Sequence, residues 1–396
     1  AARTTEPRRS RYLRVMGSNS RVRRPRWLPE IPLALGGVTA LAVLLHLSPA
    51  APPAAPASLL WTGWLVTCVV ACAARAMSHA DALAERFGEP AGTIVLTIAA
   101  IVIEVAAVCA IMLGTGGSPT VARDSMFAVI MLILNGLVGG CMLLGSLRRG
   151  EQAFNADSSS AYLPLLITLG TITLVLPRFC PSTVGGWMSD SMEIFVGGAS
   201  LLVYAVFVWL QAGRYRGYFA VEAGAPQSVQ SATRAASTPR SVALLLVSLV
   251  LVVMCAEGMA GRLPPLLDAA HLPAPFAGVL VAAMVLTPEG FAALRSSARG
   301  QMQRSINVLL GSALATIGLT VPAVLVVRWV SGVDTEFGLE PAYIVLLALT
   351  FVVSSLHLSR GRVNAIQGLI HLLILLAWIA TIIDDALPRE LARSAH

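Results

Sequence analysis

The chain has 396 residues, of which 56% are apolar, 12% charged and 6% aromatic, and its mean hydropathy is +0.76. Soluble domains carry about 25% charged residues, so half that amount cannot cover a water-facing surface of this size, and lipid is the expected solvent for most of the chain. The net charge of +7 comes from 28 basic residues against 21 acidic ones, and every basic residue is an arginine. Beyond the first 30 residues these arginines are scattered between apolar runs, which argues against a nucleic-acid partner and makes them a topology signal. The six cysteines suggest no disulfide framework: five lie in apolar runs, where a thiol behaves as a small hydrophobe, and Cys180 stands alone in a loop.

In chain order, residues 1–30 read as a basic cytoplasmic tail. An arginine-rich start before an apolar run also fits a cleaved signal; the reading adopted is a retained first transmembrane helix over 31–48. Apolar runs follow at 57–76, 92–113, 125–147, 161–177 and 192–211. A polar stretch, 212–240, has no apolar periodicity and reads as a cytoplasmic linker. Five more runs cover 241–259, 275–294, 306–327, 341–358 and 364–383, before a tail at 384–396. Each is long enough to cross a hydrocarbon core of about 30 Å as a helix, and none alternates as a transmembrane strand would. The expected fold is an all-α polytopic membrane protein with eleven transmembrane helices. After the first helix, five spans lie on each side of the linker. An odd number per half means that two similar halves, 57–211 and 241–383, insert in opposite orientations as inverted repeats.

The arginines test the orientation. With the tail inside and eleven spans, 22 of the 28 basic residues fall in cytoplasmic segments and six outside, the bias expected of inward-facing loops. The bias therefore puts the N-terminus in the cytoplasm and the C-terminus outside, and the expected location is the inner (plasma) membrane.

A carboxylate in hydrocarbon costs at least about 2.5 to 3.5 kcal/mol, so a glutamate inside a span is a functional candidate. Glu104 lies mid-way along the third span and Glu289 in the eighth, equivalent helices of the two halves. One such residue is compatible with a structural hydrogen-bonding role, whereas two at equivalent positions point to a shared site. The helices that follow, with Asn135 and with Ser305, Asn307 and Ser312, bring small residues and neutral oxygens next to each carboxylate-bearing span. Thr97 and Thr287 add hydroxyls on the same two helices as the glutamates. Two carboxylates among such oxygens suit a hard cation, and protons compete for the same oxygens, as an exchanger requires.

Glu257, in the seventh span, has no counterpart in the second, and stays open between a pathway and an interface role. Asp384 and Asp385 close the last span. His79, with Asp81, Glu85 and Glu89, reads as a short polar helix on a solvated cytoplasmic face, with cation access or sensing by His79 and Glu89 as the alternative. His357 and His371 read as packed helix residues, since no metal-ligand spacing accompanies them. Enzyme motifs are absent: without lysine there is no phosphate-binding Gly-x-x-x-x-Gly-Lys loop, and there is no HExxH and no nucleophile elbow. No cofactor is expected, only transported Ca²⁺, Na⁺ or K⁺ and protons, with membrane lipid as partner.

Two runs carry a family resemblance. Leu83 to Thr93 leading into Ile103-Glu104-Val105, and Leu286-Thr287-Pro288-Glu289-Gly290 leading into Ser305-Ile306-Asn307 and Leu310 to Pro322, resemble the two repeats of ChaA-type proton antiporters. These belong to the calcium/cation antiporter superfamily, near its calcium/proton exchanger branch. Arg148 to Asn155 is similar to a signature that follows the family's fourth helix. The resemblance implies eleven helices, with one outside two inverted five-helix repeats, and cation efflux driven by inward proton flow at glutamates that map onto Glu104 and Glu289. The chain departs from the Gly-Asn-x-x-Glu pattern of calcium/proton exchangers, having Ala100-Ile101 and Val285-Leu286 at those places. The resemblance therefore implies Na⁺ and K⁺ as well as Ca²⁺ as candidate ions. The readings from other classes are a non-transporting membrane scaffold and a channel-like cation pathway.

Overall fold

The computed structural model describes residues 30–47, 55–87, 91–113, 119–180, 185–213, 238–270, 272–273 and 275–386. In chain order these form α1 (Ile31–Leu44), α2 (Pro56–Phe87), α3 (Ala91–Leu113), α4 (Val121–Arg149), α5 (Ala156–Phe179), α6 (Asp190–Ala212), α7 (Thr238–Ala260), α8 (Leu263–Ala269), α9 (Pro275–Ala298), α10 (Met302–Ser331), α11 (Pro341–Leu358) and α12 (Ala365–Ala386). Each of the eleven expected apolar runs is helical over most of its described part. Nine of these helices are long and apolar enough to cross a membrane, while α1 and the Ile98–Ala110 stretch of α3 are shorter.

Three features depart from the sequence reading. The segment around His79 is not a separate polar helix, because α2 runs unbroken for 32 residues and its last turns carry His79, Asp81 and Glu85. The seven-residue α8, started by Pro264 and Pro265, interrupts the loop before α9. Two short strands, β1 (Gln152–Ala153) and β2 (Arg362–Val363), pair antiparallel. Most of the proposed linker, the two tails and the glycine-rich loop at 114–118 lie outside the described residues.

The helices alternate between two ends. One end carries the β1–β2 ribbon, the ends of α2, α4 and α11 and the starts of α5 and α12. The opposite end carries a set of ion pairs. There Arg123 bridges Asp124 (2.9 Å) and Glu336 (2.8 Å), Arg178 meets Glu340 at 3.1 Å, and Glu193 takes Arg328 and the Trp329 indole. Arg123 also donates to the Gly338 carbonyl at 2.9 Å, so the 332–340 loop is strapped to the start of α4.

The centre of the bundle is formed by α4 and α10, with 67% and 61% of their apolar windows buried, more than any other span. α2 packs along α7, α3 reaches α10, and α9 lies against α4. Gly278 makes the last approach possible: a Cβ there would stand 2.7 Å from the backbone of Asp124 and Ser125. Both central helices contain a π-helical segment, Leu132–Val138 in α4 and Thr316–Thr320 in α10. Such widenings are frequent at functional sites; a third, Thr171–Val175, lies in α5. The starts of the two in α4 and α10 are separated in sequence by almost the same interval as Glu104 and Glu289.

Candidate functional site

Glu104 is buried on α3, where its helix faces the π-helical turn of α10. That turn presents Thr316 and Thr320, one helical turn apart, on one face of an otherwise apolar segment. Thr316 Oγ1 donates to Glu104 Oε2 at 2.7 Å. Thr320 faces the same carboxylate, and its hydroxyl is buried without a hydrogen-bond partner. Glu104 Oε1 is likewise buried and unpartnered.

Glu289 is the like-charged neighbour of Glu104. It is half-buried on α9, with Ser312 of α10 and Asp81 from the end of α2 beside it, and its Oε2 is buried without a partner. The helix around it is loosened. Pro288 has no N–H to return to the carbonyl of Met284, and Thr287 Oγ1 donates to the carbonyl of Ala283 at 2.6 Å.

Buried polar groups in proteins are almost always hydrogen-bonded. Two carboxylates that keep open acceptor oxygens, with hydroxyls turned toward them, are therefore shaped for a ligand that supplies positive charge. The donors are all oxygens, which suits Na⁺, K⁺ or Ca²⁺. No group of three or more His, Cys, Asp or Glu that could hold a metal occurs among the described residues; the hydroxyls of Thr316, Thr320 and Ser312 are the neutral oxygens beside the two glutamates.

The residues expected to support the site divide. Ser312 stands beside Glu289 as anticipated. Thr287 is used within its own helix. Ser305 Oγ donates to the Ala293 carbonyl at 2.7 Å and pins α10 to α9. Asn307 Oδ1 accepts from Ser158 (2.6 Å) and Gln303 (2.8 Å), tying α10 to α5. Asn135 bonds Thr350 and His371 instead of a carboxylate. Thr97 falls in α3 with its side chain outside the described set, and Glu89 lies outside the described residues.

His79 is buried, not solvated: it lies 3.3 Å from both Glu30 and Arg75, within a cluster that ties α2 to the start of α1. Glu257 is exposed near the end of α7. Asp384 and Asp385 are both exposed, and Asp385 accepts from Tyr343 at 2.9 Å. All six cysteines are free thiols. Thr316 and Thr320 went unnoticed in the sequence, although two threonines four residues apart in an apolar span put two hydroxyls on one helix face.

The profile of the family described as sodium/calcium exchanger protein matches residues 57–213 and 240–383, the two segments on either side of the polar stretch. The chain is 36% identical over 355 residues to the ionic transporter y4hA of Sinorhizobium fredii, covering 88% of this chain and 94% of that one. It is 32% identical over 318 residues to the sodium-potassium/proton antiporter ChaA of Escherichia coli, covering 79% and 86%. Among solved structures, its fold is similar to that of native YfkE, with a TM-score of 0.69 at 15% identity, covering 90% of this chain and 99% of that one. It is also similar to the H⁺/Ca²⁺ exchanger CAX, with a TM-score of 0.63 at 15% identity, covering 90% and 89%.

Proposed function

Because the chain belongs to the sodium/calcium exchanger protein family, a family of multi-pass membrane ion transporters, we propose that it exchanges cytoplasmic Ca²⁺, and also Na⁺ or K⁺, for external protons at Glu104 and Glu289. One observation carries this reading: two carboxylates on different halves of the chain, Glu104 buried and Glu289 half-buried, keep open oxygens and share one hydroxyl-bearing neighbour, α10.

The chemistry follows from charge balance. A carboxylate in a low-dielectric site is tolerable when a cation or a proton neutralises it. Cation and proton therefore occupy the same oxygens in alternation, and a bundle that opens the site to one side at a time couples their flows. The eleven-span layout with two inverted halves, 57–211 and 241–383, supplies that device. It is supported by the matched intervals between the glutamates and between the π segments, and by the packing of α2 on α7 and the crossed contacts α3–α10 and α4–α9. The arginine bias supports a cytoplasmic ribbon end. Asp81, near that end and beside Glu289, would draw cations toward the site.

The monovalent reading has its own support. The site of Glu104 is completed by threonine hydroxyls, the amide of the Gly-Asn-x-x-Glu pattern is missing, and the relative at 32% identity is named for sodium, potassium and protons. Proteoliposomes holding a pH gradient and given Ca²⁺, Na⁺ and K⁺ in turn discriminate the cases. Cation-dependent proton release is expected for at least one ion. A flux that ignores the pH gradient marks a channel, and no flux with any ion marks a scaffold.

A further inference from the structure

A second polar cluster is buried away from the carboxylates, where α4, α11 and α12 meet. The Thr350 hydroxyl donates to the Leu346 carbonyl at 2.8 Å, so it accepts from Asn135 Nδ2, also at 2.8 Å. That fixes the amide, and Asn135 Oδ1 faces His371 Nδ1 at 3.1 Å. An amide oxygen only accepts, so Nδ1 carries the hydrogen, and the neutral ring of His371 has its lone pair on Nε2. His371 is fully buried and its Nε2 has no partner. The ring of His357 stands edge-on to it with centroids 5.2 Å apart, and His357 Nδ1 is also buried without a partner. Ser354 Oγ, one turn before His357 on the same helix, is a third such atom.

We propose that His357 and His371 form a second proton-binding site, loaded from the ribbon end, in which His371 Nε2 takes the proton. His357 is half-buried in the last turn of α11, and His371 lies two turns into α12. A proton from solvent reaches the imidazole of His357, passes to His371 Nε2 and leaves the His357 ring neutral again; no other bond changes. The groups facing the pair from the packed elements are few. On α11 there is Arg360 just beyond the helix, on α4 the exposed Arg148 and Arg149 at the ribbon end, on α5, which packs against α11, the exposed Asp157 and the buried Tyr162, on β2 Arg362, and none on the π segment. On α12, Asp384 and Asp385 lie at the far end. Neither ring has a carboxylate as a hydrogen-bond partner among the described residues, so a proton on the buried pair is held weakly and is readily given up. When held, it puts a positive charge against the π segment that carries Asn135 and, through Leu137, touches Gly290 beside Glu289. The bearing of this site on transport rests on the antiport reading above, whereas the proton site itself does not.

The test uses the full chain in proteoliposomes, labelled with ¹⁵N-histidine, with the wild type compared to His371→Asn, whose amide nitrogen replaces the Nδ1–H donor to Asn135. The expected spectrum has one imidazole in the Nδ1–H form that takes up a proton as the ribbon-side pH is lowered and is lost in the variant. The expected transport result is a shift of about half a pH unit or more in the profile of cation-driven proton flux when pH is varied on the ribbon side alone. An Nε2–H form, a ring that does not titrate, an unchanged profile, or a folded variant inactive at every pH overturns the proposal. Should His371→Asn fail to fold, His357→Gln is read for the same shift in profile. Loss of the antiport reading is separable, since it would abolish flux in the wild type and leave the histidine titration intact.

Discussion

Thr316 donates a 2.7 Å hydrogen bond to Glu104 across 212 positions of sequence, so a helix of the second half completes the carboxylate site of the first. A hydrogen bond to a charged group contributes about 1.5–3 kcal/mol. Thr316→Val keeps the shape and removes the donor. The cation concentration for half-maximal proton release should rise by roughly 10- to 100-fold, with maximal flux less affected. An unchanged half-saturation would remove Thr316 from the site.

Arg123 is buried and joins Asp124, Glu336 and the Gly338 carbonyl. Arg123→Met removes one partner of a buried ion network and leaves Asp124 with only Thr120, at 2.7 Å. The expected cost is about 3–5 kcal/mol, read as lowered thermal stability in detergent.

The same network makes a pH prediction. Burial lifts the carboxyl of Glu336, in the loop outside the spans, above its ordinary range, although Arg123 and Arg178 pull the other way. A raised carboxyl pKa favours the protonated folded state, so the charged form carries a stability cost at high pH. Wild-type stability relative to Glu336→Gln should fall as pH rises from the ordinary carboxylate range through the raised value, then level off. A difference that grows in the opposite direction would contradict the assignment.

Asn135 separates the carboxylate site from the histidine pair. Asn135→Leu leaves His371 Nδ1 without its acceptor, which costs about 1–3 kcal/mol of stability. The cation concentration for half-maximal flux should stay unchanged, because the side chain does not reach the carboxylates. A large loss of apparent affinity would return Asn135 to the site.

Gly278→Ala tests the close approach of α9 to α4. Its Cβ would stand 2.7 Å from backbone atoms that cannot move aside, so overpacking should cost about 1–3 kcal/mol and displace the helix that carries Glu289. Gly198→Ala, with nothing within 4 Å, is the matched control and should be near neutral.

The helices were legible because apolar length in a membrane is set by bilayer thickness, and Pro, Gly or charged residues bound the spans. Glu104 and Glu289 were legible for the same reason: in a lipid-solvated chain a charged side chain within a span is conspicuous. Their neighbours were not. Asn135, Asn307 and Ser305 share the right helices, yet each is taken by a partner 12 to 236 residues away in sequence, a choice made by helix rotation and packing. The π segments that turn Thr316 toward Glu104 shift the helix phase, so a 3.6-residue pattern misjudges which side of α10 faces inward. His79 misled because Arg75, Asp81 and Glu85 around it suggest water, while the start of α1 folds over it and brings Glu30.

The central claim is that cation and proton share Glu104 and Glu289. It is tested most directly by measuring cation-driven proton release in proteoliposomes for Glu104→Gln, Glu289→Gln and the double variant, each verified as folded. Loss of coupled flux in each single variant, with no further loss in the double, is the predicted result. Normal flux in either single variant would contradict it.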